Sequence, residues 1–261
     1  MAVVVLTSAS GSPGVTTSAV GLALVWPRPV VLVEADPTGG SSVLAGYFRG
    51  ATVPAASLVD LVFAHRDGRL SDRLSAALVP IPGTSARLLP GVQSHAQARS
   101  VSGLWAPLLQ QLRSLDGSGN DILIDAGRLG LQGWPEPLLV SADLGLLTVR
   151  SNLVALAGAR GWAESWHEAT AGFTGRRGLL LLGEDRPYSG REIAEALRLP
   201  KIAGVSWDPT AAEVLAHGAP PNRRFQSSAL LRSLRAAATA IDTALDEAAD
   251  PAAPPTARSY A

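Results

Sequence analysis

The chain has 261 residues, 47% of them hydrophobic, enough to bury one large α/β core. Charged residues make up only 17% and the formal net charge is zero, which argues against binding nucleic acid through bulk charge. Cysteine is absent, which excludes disulfides and thiolate metal sites, and His65, His95, His167 and His217 do not stand at metal-ligand spacing.

In chain order, residues 2–6 form a β-branched run bounded by Ser and Gly and predict a buried strand. A Gly-rich turn follows, then a helix over 16–25 that stops before Pro27, then a second apolar strand over 30–33. That order opens a parallel sheet with right-handed crossovers. Further short apolar runs at 87–89, 121–124, 144–149, 179–182 and 202–205 read as strands buried on both faces. Helical patterns separate them at 57–64, 73–78, 102–115, 153–166 and 191–197. A last helix over 227–248 aligns Leu230, Leu231, Leu234, Ala238, Ile241 and Leu245 in one apolar stripe. The expected fold is α/β, a mostly parallel sheet of about seven strands with helices on both faces. Residues 1–249 are expected to form one domain, and the Pro- and Ala-rich residues 250–261 a disordered tail. The apolar N-terminus is short and lacks a basic flank, and no apolar run reaches the roughly 20 residues of a membrane span. A cytoplasmic protein is expected.

The turn after the first strand reads Ala9-Ser10-Gly11-Ser12-Pro13-Gly14-Val15-Thr16-Thr17. Between a strand and a helix, its N–H groups can hold an anion, and its glycines let the backbone curl around a phosphate. Thr16 can ligate Mg²⁺, or Thr at the helix start can simply cap it in a tight turn that binds nothing. The standard phosphate-loop pattern G-x-x-x-x-G-K-[ST] is not met, because Ala9 stands at its first Gly and Val15 at its Lys. Two acids follow at strand ends: Asp36 in Val33-Glu34-Ala35-Asp36-Pro37-Thr38-Gly39-Gly40, and Asp125 in Asp121-Ile122-Leu123-Ile124-Asp125-Ala126-Gly127. In a parallel sheet both fall at the carboxyl edge beside the loop. There, two carboxylates and the Thr16 hydroxyl suit a hydrated Mg²⁺ that bridges phosphates. Taken singly, each Asp reads equally as an N-cap or a turn residue.

This ordered set resembles the ParA/MinD family of P-loop ATPases, including its pilus-assembly branch, TadZ/CpaE. The family's deviant loop K-G-G-V-G-K-T-T is similar to residues 10–17, its D-x-D-P-Q-G region to 34–39, and its hydrophobic strand ending in Asp to 122–125. Leu88-Leu89-Pro90-Gly91 resembles the segment before the family's long central helix. Gly204-Val205-Ser206-Trp207-Asp208-Pro209 resembles the late segment near its base. The resemblance covers about residues 2–247. It implies ATP or ADP with Mg²⁺, held by the backbone of Gly11, Ser12, Pro13, Gly14, Val15, Thr16 and Thr17, with Thr16, Asp36 and Asp125 at the metal. Homodimer formation and a secretion or pilus-assembly ATPase are the candidate partners it suggests. It implies a role in spatial positioning or assembly.

Both family lysines are missing. The one that reaches across a dimer is Ser10 here, and the one that holds the β- and γ-phosphates is Val15. The family's adenine contact has no clear equivalent in Gly183-Glu184-Asp185-Arg186. An apolar side chain cannot neutralise charge on a transferred phosphoryl group, so hydrolysis is expected to be slow or absent and no catalytic residue is assigned. Arg128 and Arg150, at the ends of two later strands, are cations that could compensate. Two alternatives stay open: a pseudo-ATPase scaffold that binds no nucleotide, and a Rossmann-type oxidoreductase with Glu34 as the ribose-binding acid. Trp162 and Trp166, four apart on one helix, read as core or as an exposed patch. Arg223, Arg224, Arg232 and Arg235 read as a solvated face, so nucleic acid is not an expected partner. The 250–261 segment has no apolar stripe, so direct membrane insertion is not expected either.

Overall fold

A computed structural model describes residues 1–11, 14–114, 119–168 and 175–249. The strands are β1 (Val3–Ser8), β2 (Val30–Glu34), β3 (Val79–Pro80), β4 (Arg87–Leu89), β5 (Asp121–Arg128), β6 (Leu144–Arg150), β7 (Arg176–Leu182) and β8 (Lys201–Val205). They form one sheet in the order β3-β4-β2-β5-β1-β6-β7-β8. Every pairing is parallel except β3 with β4. All seven expected strands are present. The eighth, β3, is a two-residue edge piece directly after the predicted 73–78 helix, and Pro80, which lacks an N–H, is tolerated there because the edge is unpaired.

The helices are α1 (Val15–Val25), α2 (Ser42–Ala45), α3 (Leu58–Arg66), α4 (Leu70–Ala77), α5 (His95–Val101), α6 (Trp105–Ser114), α7 (Glu136–Val140), α8 (Leu153–Glu168), α9 (Gly190–Leu197), α10 (Pro209–Ala216) and α11 (Ala229–Ala249). Alternate strand residues face opposite layers. Val4 and Leu6 of β1 pack with Leu22 of α1, Leu215 of α10 and Leu234 of α11. Val3 and Val5 pack on the other face with Leu61 of α3, Leu74 of α4 and Leu108 of α6. Beyond β1 that second face continues as Leu147, Val149, Leu179 and Leu181 under α8 and α9. The whole predicted stripe of the last helix, from Leu230 to Leu245, is buried in the first layer. Each such side chain contributes roughly 1.5–3 kcal/mol on leaving water.

The two ends of β5 do different things. At its amino end Asp121, fully buried, accepts from the N–H of Ala2 (2.8 Å), Trp26 Nε1 (2.9 Å) and Arg28 Nε (2.8 Å). Arg28 continues to Asp242 on α11 at 2.7 Å. This network joins β1, β5, the loop after α1 and the last helix. Asp125 lies four residues further on, roughly 13 Å away at about 3.3 Å per residue, at the carboxyl edge.

Candidate phosphate and metal site

The loop leaving β1 enters α1 through Gly14, whose φ of 106° is a conformation that a Cβ disfavours. Among the described residues no side chain caps α1, and its first turn carries no acidic residue. The Thr cap of the ligand-free reading is therefore not made. The first N–H groups of the helix have no acceptor within it, and this end of the dipole is positive. Both features favour an anion.

Three other strand ends meet that helix start around a cavity of about 510 Å³. Gly11, Gly14, Val15, Thr16 and Thr17 form its first wall. Asp36, Thr38 and Ser42 enter from beyond β2, Gly127 and Arg128 from the end of β5, and Arg150 from the end of β6. Ser12 and Pro13 lie outside the described residues. This convergence follows from the strand order, since β1 sits between β5 and β6 and the sheet's connections part there.

The two aspartates follow neighbouring strands, Asp36 two residues past the end of β2 and Asp125 within β5. Glu34 of β2 stands opposite Asp125 of β5, and the Ala35 N–H donates to the Asp125 carbonyl at 2.8 Å. Asp36 is braced by Thr38, whose N–H and Oγ1 both reach its Oδ1 at 2.8 Å. Its carboxylate lies against Gly127, where an added Cβ would sit 2.3 Å from the Asp36 Cγ. Gly127 also has φ +61°, so both space and conformation call for glycine.

Asp125 is 1% exposed, and its Oδ1 accepts from the Gly127 N–H at 3.0 Å. Its Oδ2 is buried and, among the described residues, without a partner of hydrogen-bond geometry. Burial pushes this carboxyl up to about 7; the neighbouring Thr16 hydroxyl pulls it down, and the charges of Glu34 and Asp36 push it up further. An orphaned carboxylate oxygen beside a hydroxyl and a second carboxylate fits a hydrated cation. No group of three His, Cys, Asp or Glu side chains suited to a metal occurs among the described residues. The donor set is thus the sparse one with which Mg²⁺ keeps several waters, not a closed protein cage.

Val15 borders the cavity but is 5% exposed and belongs to the core layer under α1. The single lysine of the chain, Lys201, is held by Glu184 at 2.6 Å beside β8. Glu34 cannot serve as a ribose acid. It is 2% exposed, and its oxygens accept from Ser41 Oγ, Ser42 Oγ (3.4 Å), the Val43 N–H (3.2 Å) and the Gly91 N–H (3.0 Å). Four donors fill the roughly four acceptor positions of a carboxylate.

Sequence reasoning did not single out Thr38, Ser42 and Gly127 as site residues. The signal for Thr38 was readable, since Asp-Pro-Thr favours a turn in which the acid accepts from the residue two positions on. Trp166 is core at 6% exposure, while Trp162 is half-buried against Gly130. Arg232 and Arg235 fold back onto the carbonyls of Ser227 and Gln226.

No protein-family model matches the sequence, and no curated protein matches it either. Solved structures do. The cell division ATPase MinD of Pyrococcus furiosus superposes with a TM-score of 0.71 at 21% identity, covering 93% of this chain and 98% of that one. MinD of Pyrococcus horikoshii, complexed with Mg-ADP, gives 0.71 at 20% identity, covering 92% and 96%. A ParA family ATPase of Chlorobium tepidum gives 0.67 at 17% identity, covering 95% and 98%. The structural neighbours are thus MinD/ParA-family P-loop ATPases, and the chain has their fold.

Proposed function

We propose that this chain, built on the MinD/ParA fold, binds a nucleoside di- or triphosphate with Mg²⁺ and acts in the cytoplasm as a positioning or assembly factor, with slow or absent hydrolysis. One observation carries the reading. An uncapped helix start, Thr16 and Asp36 line one cavity, and the buried Asp125 lies behind that wall, next to Thr16 and bonded to the lining Gly127 N–H. In this reading the backbone from Gly11 to Thr17 holds the phosphates, Thr16 ligates Mg²⁺, and Asp36 and Asp125 hold its waters. When bound, the metal would screen phosphate charge. Val15 stands where the usual pattern has the cation that stabilises a transferring phosphoryl group, which is the ground for slow or absent hydrolysis.

A homodimer belongs to the same proposal. Leu153 and Val154, 66% and 83% exposed, follow Arg150 at the rim and give a second copy apolar surface to cover. The test is thermal melting with Mg-ATP, Mg-ADP and Mg-GTP. A ligand at about 100 times its Kd adds roughly 2.7 kcal/mol to the native state. A rise with nucleotide and Mg²⁺ together, greater than with either alone, supports the reading. An unchanged melting curve at millimolar nucleotide leaves the scaffold reading in its place.

A further inference from the structure

The proposed phosphate cavity has an electrostatic deficit. Asp36 lies in its wall and the buried Asp125 stands next to the lining residue Thr16, so a polyphosphate would enter near two acids. The helix start offers only partial positive charge. Val15 offers none, and Lys201 is committed to Glu184. Among the described residues that line the cavity, the cationic side chains are Arg128 and Arg150.

They stand on the two strands that flank the loop. β1 feeds the loop and lies between β5 and β6. Arg128 is the last residue of β5, level with Ser8 of β1. Arg150 is the last residue of β6, three positions beyond Leu147, the partner of Thr7. The guanidinium of Arg150 stands 4.8 Å from the centre of the Trp207 ring, a contact that orients it.

We infer that Arg128 and Arg150 form a split cation clamp that grips a nucleoside polyphosphate from the two flanks of the loop and replaces the lysine of the usual pattern. The inference rests on the nucleotide reading above. Guanidinium suits this task from a strand end, because its fork meets two phosphate oxygens at once where an ammonium acts as a point charge. The clamp also explains how Val15 can be spared for the core.

The experiment is calorimetry of Mg-ATP and Mg-ADP binding to the full chain and to Arg128→Gln, Arg150→Gln, the double variant, and Arg150→Lys. Each single variant is expected to lose about tenfold in affinity and the double variant about a hundredfold, the scale of hydrogen bonds to charged groups. Arg150→Lys should retain part of what Arg150→Gln loses, and Val15→Lys in the double variant should restore binding. Ligand-free melting temperatures confirm that the variants fold. If the wild-type chain binds while the double variant binds within about threefold of it, the clamp is overturned and the nucleotide reading stands. If the wild-type chain binds neither nucleotide at millimolar concentration, both fall together.

Discussion

Asp125 is a carboxyl that folding places where its charge is poorly tolerated. Its folded pKa, raised by burial from near 3.8 to about 7, exceeds its unfolded value. The group therefore costs nothing below pH 4, costs progressively more between pH 4 and 7, and exerts its full penalty above that. Asp125→Asn should flatten this dependence in the ligand-free protein. It should stabilise the protein at pH 8 by up to about 4 kcal/mol while leaving stability at pH 4 nearly unchanged, as melting curves at the two pH values will read. The same variant should bind Mg-nucleotide more weakly. Gly127→Ala should act on Asp36: the left-handed φ and the displaced carboxylate together cost about 1–3 kcal/mol, measurable by urea unfolding. Val15→Lys should raise ATP affinity by about tenfold in calorimetry, since the position borders the cavity and a lysine stem can stay in the core while its ammonium emerges. Unchanged affinity would count against an intact pocket.

At the scale of elements, the structure depends on two buried carboxylates that tie distant segments. Glu34 joins β2 to α2 and, across 57 residues, to the Gly91 N–H after β4. Asp121 joins β5 to β1, Trp26 and Arg28. Asp121→Ala strands a buried indole N–H and a backbone N–H, and should destabilise the fold by about 2–4 kcal/mol in chemical denaturation. The long strands were legible because a strand covered on both faces is a continuous apolar run, as in Ile122-Leu123-Ile124. The short helices α2, α5 and α7 were not, because four to seven residues carry no periodicity and their starts depend on neighbours: Ser41 at the head of α2 has φ 41° and is fixed by Glu34. α10 did have a readable start, an Asp208 cap followed by Pro209, and the fold reading passed it by.

At the scale of the whole molecule, parallel strands settle where a site can be. The sheet sends the carboxyl ends of seven strands to one rim, so Thr16, Asp36 and Asp125 could be grouped from sequence by strand order alone. What sequence could not supply was the closeness of Asp36 to Gly127 or the orphaned oxygen on Asp125, since both depend on side-chain placement between strands far apart in the chain. Nor could it show that Glu34 is fully engaged. The oxidoreductase alternative rested on that acid being free.

The opposite roles of the two ends of β5 have a practical consequence. One rim anchors the molecule and the other is left to chemistry, so damage to each should be readable by a different instrument. Changes at Arg128 or Arg150 should alter titrations with little effect on calorimetric melting of the ligand-free chain. Changes at Trp26, Arg28 or Asp121 should do the reverse. A sheet wired in this way keeps the residues that hold its architecture apart from those that line its cavity, so either set can change while the other stands.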